Sequence, residues 1–380
     1  MTGTPTTCTR CVMDTSDPAI TFDARGVCNH CIEFDSVTRR HWHTGAEGEH
    51  RLAQLVDALR AEGRGRDYDC IVGLSGGVDS SYLALKCRDW GLRALAVHVD
   101  AGWNSELAVA NIEAVLDATG FDLHTHVVDW EEMRDLQLAF LRSGIPNQDV
   151  PQDHAFFANL YRFASRHRIR GVLSGGNLAT EAVFPTAWHG PAMDAINLRA
   201  IHQRHGERPL VRYRTISFTD VYIRYPFVER LRVSRPLNFV DYRKAEAVAE
   251  LARRTGWRPY ARKHGESLFT KLFQNHMLPL RFGYDKRRPH LSSLIVSGQM
   301  TRDEALAALA EPLYDPQELE IDLAYFCKKL RIVRADFDAL MAAPLRRHTD
   351  YPTWDGRYRA LKRVQRVAQR LTGRRFNMYS

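Results

Sequence analysis

The chain has 380 residues, 44% of them hydrophobic, with 53 Lys and Arg against 45 Asp and Glu, a net charge of +8. That length allows two or three packed units, and no apolar run is long enough to span a bilayer, so an integral membrane protein is excluded and a soluble, cytoplasmic one expected. Residues 356–380 hold eight Lys or Arg and no Asp or Glu, which leaves 45 basic and 45 acidic side chains elsewhere; charge so local argues against a broad nucleic-acid footprint.

In chain order the first signal is Cys8-Thr9-Arg10-Cys11 with Cys28-Asn29-His30-Cys31, two CxxC knuckles sixteen residues apart. The spacing suits four thiolates on one tetrahedral zinc ion. Two disulfides are the alternative, but the sequence shows no signal peptide and a reducing compartment favours the metal. Four protein ligands leave no open position, so the zinc held by Cys8, Cys11, Cys28 and Cys31 is expected to be structural. His30 could replace one of the cysteines. A polar connector follows to about residue 50, then a helix near 51–62.

Alternating elements come next: a strand over 70–74, a helix over 81–90, a strand over 92–99 ending in Asp100, a helix over 106–119, and strands over 122–128 and 171–173. The alternation predicts a doubly wound parallel α/β sheet, whose ligands collect at the carboxyl ends of strands. The expected division is a zinc-ribbon module and connector over 1–50, the α/β domain over 51–240 and a mainly helical region with a basic tail over 241–380.

Between the first strand and its helix lies Gly73-Leu74-Ser75-Gly76-Gly77-Val78-Asp79-Ser80-Ser81. Glycines let backbone N–H groups approach phosphate oxygens, and the helix N-terminus adds a positive end. The run lacks the Gly-Lys-Ser/Thr of a Walker loop and the three spaced glycines of a dinucleotide fingerprint. It resembles instead the PP-loop of the ATP pyrophosphatases, which adenylate a substrate oxygen and release pyrophosphate. On that reading Gly73 to Ser80 cradle ATP and Asp79 holds Mg²⁺. Val99 and Asp100 are assigned to the adenine and ribose side, and Gly175 and Gly176, after the fourth strand, to the nucleotide or substrate rim.

From Arg253 to Leu291 ten Lys or Arg face only Glu266 and Asp285. Such an imbalance repels itself unless anions sit on it, and Lys263, Lys271, Lys286 and Arg287 are candidates for stabilising the α-phosphate and leaving group. Further on, apolar residues at 361, 364, 367, 368 and 371 within the basic tail have amphipathic helical spacing. A docked helix with a solvated basic face is expected; peripheral contact with an anionic membrane surface or an acidic partner is the alternative. His124 and His126 share one face of a predicted strand and are expected to be packed or solvated rather than metal-bound.

Residues 8–23, 26–31, 73–82 and 263–275, with Gly-Tyr-Asp-Lys-Arg-Arg-Pro-His-Leu-Ser-Ser-Leu-Ile at 283–295 and Ser-Gly-Gln-Met-Thr-Arg at 297–302, resemble the N-acetyl sugar amidotransferases of surface-polysaccharide biosynthesis. The resemblance implies conversion of an acetamido group on a nucleotide-linked sugar into an acetamidino group, with ATP and with ammonia from a separate glutaminase, often beside a cyclase-like companion. The chain has no glutaminase nucleophile elbow, so external ammonia is expected. Two other readings stand. A PP-loop sulfur-inserting enzyme acting on tRNA or a small-molecule amide would need reactive cysteines, and only Cys70, Cys87 and Cys327 remain, each in an apolar setting. A zinc-ribbon binding module would use ATP only as a structural ligand.

Overall fold

The computed structural model describes residues 5–260 and 265–372. Five strands, β1 (Cys70–Gly73), β2 (Ala94–Asp100), β3 (Leu123–Val127), β4 (Gly171–Leu173) and β5 (Arg232–Ser234), form one parallel sheet in the order β3-β2-β1-β4-β5. Alternation along β1 divides the core: Cys70 and Val72 join Leu83, Ile112, Leu251 and Trp257 on one face, while Ile71 joins Val97, Ala158, Leu160 and Val172 on the other. Helices Val78–Asp89, Glu106–Thr119 and Lys244–Thr255 cover the first face, and Val150–Arg166 covers the second. The α/β packing therefore draws in residues 244–257, past the expected boundary at 240.

β3 is an edge strand that turns Leu123 and Val127 outward and its two histidines inward, where His124 stacks on Phe163 with centroids 4.1 Å apart. These histidines are packing residues, and among the described residues the four N-terminal cysteines are the one group of metal-binding side chains drawn together. The predicted connector is shorter than expected, because helix Gly45–Glu62 starts six residues before residue 51. β5 and the helices Trp130–Ser143 and Val150–Arg166 carry no signal read from the sequence.

Beyond residue 267 the described chain is helical, and its helices enclose a second apolar core built on Phe269, Leu272, Phe326, Leu330 and Phe337. Trp103, from the loop after β2, is buried in this core and donates its indole N–H to Gln137 at 2.8 Å. The basic helix Asp355–Thr372 packs Tyr358 on Tyr222, next to Trp354 and Phe218. The helix docks as expected through Tyr358, with Leu361 half-buried, but its apolar positions Val364 and Val367 remain 66% and 55% exposed; the side chains at 368 and 371 lie outside the described residues. No helix among the described residues is long and apolar enough to cross a membrane.

Candidate active site at the switch point of the sheet

Strand order reverses between β1 and β4, and in an open parallel sheet the crevice at that point is where ligands bind. The loop after β1 enters it. Gly76 takes φ +82°, and a Cβ there would lie 2.8 Å from the Ala108 carbonyl oxygen, so only glycine fits. The Gly76 carbonyl is held from behind by two donors, Trp257 Nε1–H and Tyr260 Oη–H, each at 2.9 Å. With that oxygen turned into the protein, the loop runs straight into the N-terminus of helix Val78–Asp89, while its Ser75 and Gly77 N–H groups donate to the Ser80 and Ser75 hydroxyls at 3.3 Å. Ser75 and Ser80 brace the turn: their hydroxyls lie 3.1 Å apart and Ser80 donates to the Gly77 carbonyl at 3.1 Å.

The loop after β4 seals the other side. A Cβ on Gly175 would sit 2.7 to 2.8 Å from the backbone of Asp79 and Ser80, which is close contact between two backbones that a side chain would separate. Asn177 uses this proximity to donate to Asp79 Oδ1 at 3.2 Å, and the buried Tyr242 hydroxyl donates to the same oxygen. Burial and the adjoining Asp79 charge push the Tyr242 phenol up, so it stays a donor. Glu181 lies against Gly176 on the same rim. Asn177 closes the Ser174–Asn177 turn expected at the rim, whereas Glu181, Tyr242, Trp257 and Tyr260 were missed in the sequence; each is ordinary in its local context and gains meaning only through partners up to 184 residues away.

Val99 and Asp100 end β2 as expected. Asp100 caps its own turn by accepting from Gly102 N–H at 2.7 Å, and His98 links the two loops by donating from Nδ1 to the Leu74 carbonyl at 2.8 Å while accepting from Asn104. Trp103, three residues after Asp100, packs into the helical core.

The candidate cations separate. Lys286 donates to His189 Nε2, whose ring is fixed by Nδ1–H donation to the Pro185 carbonyl at 2.9 Å and by stacking on Phe184. Burial and the Lys286 charge lower that histidine to about 3, which keeps it a neutral acceptor. Lys286 also acts electrostatically on Asp153, an exposed residue in the first turn of helix Val150–Arg166 that feels the Asp149 charge. Asp149 itself accepts from Thr270 Oγ1 at 2.9 Å and from Gln152 and Gln274 at 3.3 Å. Lys271 instead lies 2.6 Å from both Glu318 and Asp322, and Arg287 is bound by Asp285 and the carbonyls of Ala308, Leu309 and Glu311. Both are paired with acids of the protein itself. Lys263 lies outside the described residues.

Part of the positive charge over 253–291 is thus met by the protein's own acids: Arg254 by Asp89 and Glu250, Lys271 by Glu318 and Asp322, and Arg288 by Asp14. The expectation that anionic ligands are needed to balance it does not hold for these residues.

At the N-terminus the four cysteine sulfurs lie within 4.8 Å of one another and are buried. Amide N–H groups of Arg10, Cys11 and Cys28 point at Cys8 Sγ at 3.2 to 3.4 Å, the donor pattern that stabilises thiolate ligands. The donor set fits a tetrahedral metal ion. His30 is turned away to Asp17, 2.7 Å from Nε2 to Oδ2, and is not one of the four. The module is bolted to the C-terminal region: Arg288 reaches the Val12 carbonyl and Asp14, Ser292 accepts from Val12 N–H, and Arg302 donates to the carbonyls of Cys8 and Cys11.

The fold is a parallel α/β sheet with a glycine-rich, PP-loop-like turn at its switch point. Residues 266–365, about a quarter of the chain, match the family model described as LPS biosynthesis protein WbpG-like, C-terminal domain. No curated protein matches the sequence. Among solved structures the chain is similar to the U34-tRNA thiolase NcsA from Methanococcus maripaludis with its [4Fe-4S] cluster, at 13% identity and a TM-score of 0.35 over 82% of this chain and 91% of that one. It is also similar to the NMN synthetase from Francisella tularensis, at 15% identity and a TM-score of 0.29 over 58% of this chain and 100% of that one.

Proposed function

We propose that the protein is an AMP-forming amidotransferase that turns the acetamido group of a nucleotide-linked N-acetyl sugar into an acetamidino group. An amide is a poor electrophile because its oxygen leaves poorly. Attack of that oxygen on the α-phosphorus of ATP forms an O–P bond and expels pyrophosphate. Ammonia then adds to the activated carbon, the C–O bond to AMP breaks, and the amidine forms as protons pass to solvent.

The protein's share is placement and charge. Ser75, Gly76, Gly77, Val78 and Ser80 would cradle the pyrophosphate portion, with Gly175 and Gly176 closing the rim. Asp79 suits Mg²⁺, since both its hydrogen-bond donors reach Oδ1 and, among the described residues, none reaches Oδ2; the ion would neutralise charge on the phosphates. Lys286 remains the candidate for charge developing at the α-phosphate. Zinc at the four cysteines would fasten the N-terminal module and take no part in the chemistry.

The observation that carries this reading is that the family-matched segment starts in the crevice. Glu266 stands 3.4 Å from the Cβ position of Gly77, its carbonyl accepts from Ser105 N–H at 2.9 Å, Ser267 pairs with Asn104, and Lys286 lies farther along the same segment. A sulfur-inserting enzyme is disfavoured by its thiols: Cys70, Cys87 and Cys327 are buried, and burial raises both Cys87 and Cys327. The test is product analysis with ATP, ammonium and a panel of nucleotide-linked N-acetyl sugars. AMP, pyrophosphate and an amidine in equal amounts are expected, with activity lost in Asp79→Asn at unchanged metal content. ADP as product, or AMP formed only with a sulfur donor, would overturn it. The reading also calls for a glutaminase partner, which glutamine-dependent turnover on adding that subunit would reveal.

A further inference from the structure

We infer that helix Asp355–Thr372 is a reversible anchor for an anionic lipid surface. Asp355 is the only acid on the helix, and it carries Arg357, Arg359, Lys362, Arg363, Arg366 and Arg370. At 3.6 residues per turn, positions 359, 362, 363, 366 and 370 fall on one arc, and 361, 364 and 367 on another centred about 150° away. In a helix that merely docks on its own protein the second arc would be buried. Here docking uses a different side. Tyr358, Leu361, Lys362, Gln365 and Gln369 are half-buried along that side, Tyr358 lies against Tyr222, and Val364 and Val367 stay mostly exposed on the flank between the docking side and the arginines.

An exposed apolar strip bordered by Arg359, Arg363, Arg366 and Arg370, all exposed, has the form of an interfacial helix: aliphatic groups enter the acyl boundary while guanidinium groups meet lipid phosphates. The helix on which it docks, Asp220–Val228, adds exposed Ile223, Phe227 and Val228. Charge complementarity selects the occupant. A second copy of the chain would bring a second set of arginines to the strip, whereas an anionic leaflet neutralises them. The remaining 355 residues balance 45 basic against 45 acidic side chains, so the attraction is confined to this element. One such helix gives weak, exchangeable binding rather than permanent insertion.

Sedimentation of the full-length protein with vesicles tests this, using phosphatidylcholine alone and a 3:1 mixture of phosphatidylcholine and phosphatidylglycerol, at low and high salt. Binding is expected only to the mixture and is expected to fall with salt. Arg359→Gln/Arg363→Gln/Arg366→Gln should weaken it about a hundredfold, at about fivefold per charge. Val364→Ser/Val367→Ser should weaken it about tenfold with all charges in place. Because these side chains are exposed, metal content and melting temperature should not change. Failure to bind the anionic vesicles would overturn the inference, as would valine variants that bind like the parent. So would a dimer in sedimentation velocity that depends on Val364 and Val367, since a second copy would then be the occupant.

Discussion

The Gly76 carbonyl is held from behind, and on the proposed function this fixes the loop in the shape that takes phosphate. Two donors reach that oxygen, one from a residue 2% exposed and one from a half-buried phenol. Trp257→Phe removes one donor and leaves the other, at a cost of about 1 kcal/mol, and Tyr260→Phe does the same. Removing both orphans a buried carbonyl, which costs about 1–3 kcal/mol more than the lost bonds and is relieved by rotating the Gly76–Gly77 peptide into the crevice. Each single variant should therefore raise the Kd for ATP about fivefold and the double variant about two hundredfold or more, a coupling of about 1 kcal/mol or more between two residues that share one acceptor. Isothermal titration with a non-hydrolysable ATP analogue at saturating Mg²⁺ reads this, with urea melts to separate fold loss from site loss. Additive effects, or a double variant with unchanged affinity, would refute the argument that this carbonyl sets the loop.

Exchanging the candidate cations should separate their roles. Lys271→Gln, which strips Glu318 and Asp322 of their partner, should cost about 2 kcal/mol of stability and leave kcat near that of the parent, whereas Lys286→Gln should lower kcat about a hundredfold at little change in melting temperature. Metal analysis should find about one zinc per chain, lost in Cys28→Ala with a drop in melting temperature; visible absorption from iron would show that the four thiolates hold a cluster instead. Acid should weaken the fold through His154, which burial lowers to about 4 while it donates to the Ala192 carbonyl and accepts from Ile216 N–H. Above pH 6.5 neither state is protonated. As the pH falls from 6.5 to 4 the unfolded chain takes the proton first, so stability drops, by about 2 kcal/mol between pH 7 and 5. Urea midpoints at the two pH values should show that slope in the parent and a shallower one in His154→Gln.

What could be read in advance was local. The strand, glycine turn and helix start at 70–90 are contiguous, and two CxxC pairs announce one metal, so the sheet's central element and the cysteine module were visible without coordinates. The pairing of Lys271 and Arg287 stayed hidden because charge in a sequence does not show its partner: the acids that hold Lys271 lie 47 and 51 residues away, on helix Pro316–Leu330. Tyr242 and Trp257 could not be found at all, since a lone aromatic reads as core until the sheet brings it to Asp79 or Gly76. The amphipathic spacing at 361–371 was legible, but which arc the protein covers depends on Tyr222, far upstream, and Val364 and Val367 stay outside it.

The two donors behind Gly76 have a consequence for synthesis. They stand 181 and 184 residues after the glycine they restrain. At about 5–20 residues per second the ribosome takes roughly ten to forty seconds to cover that interval. For that time the nascent loop has its glycines and serines but not its backing, so its capacity to hold a nucleotide is completed by some of the last pieces of the α/β core to emerge.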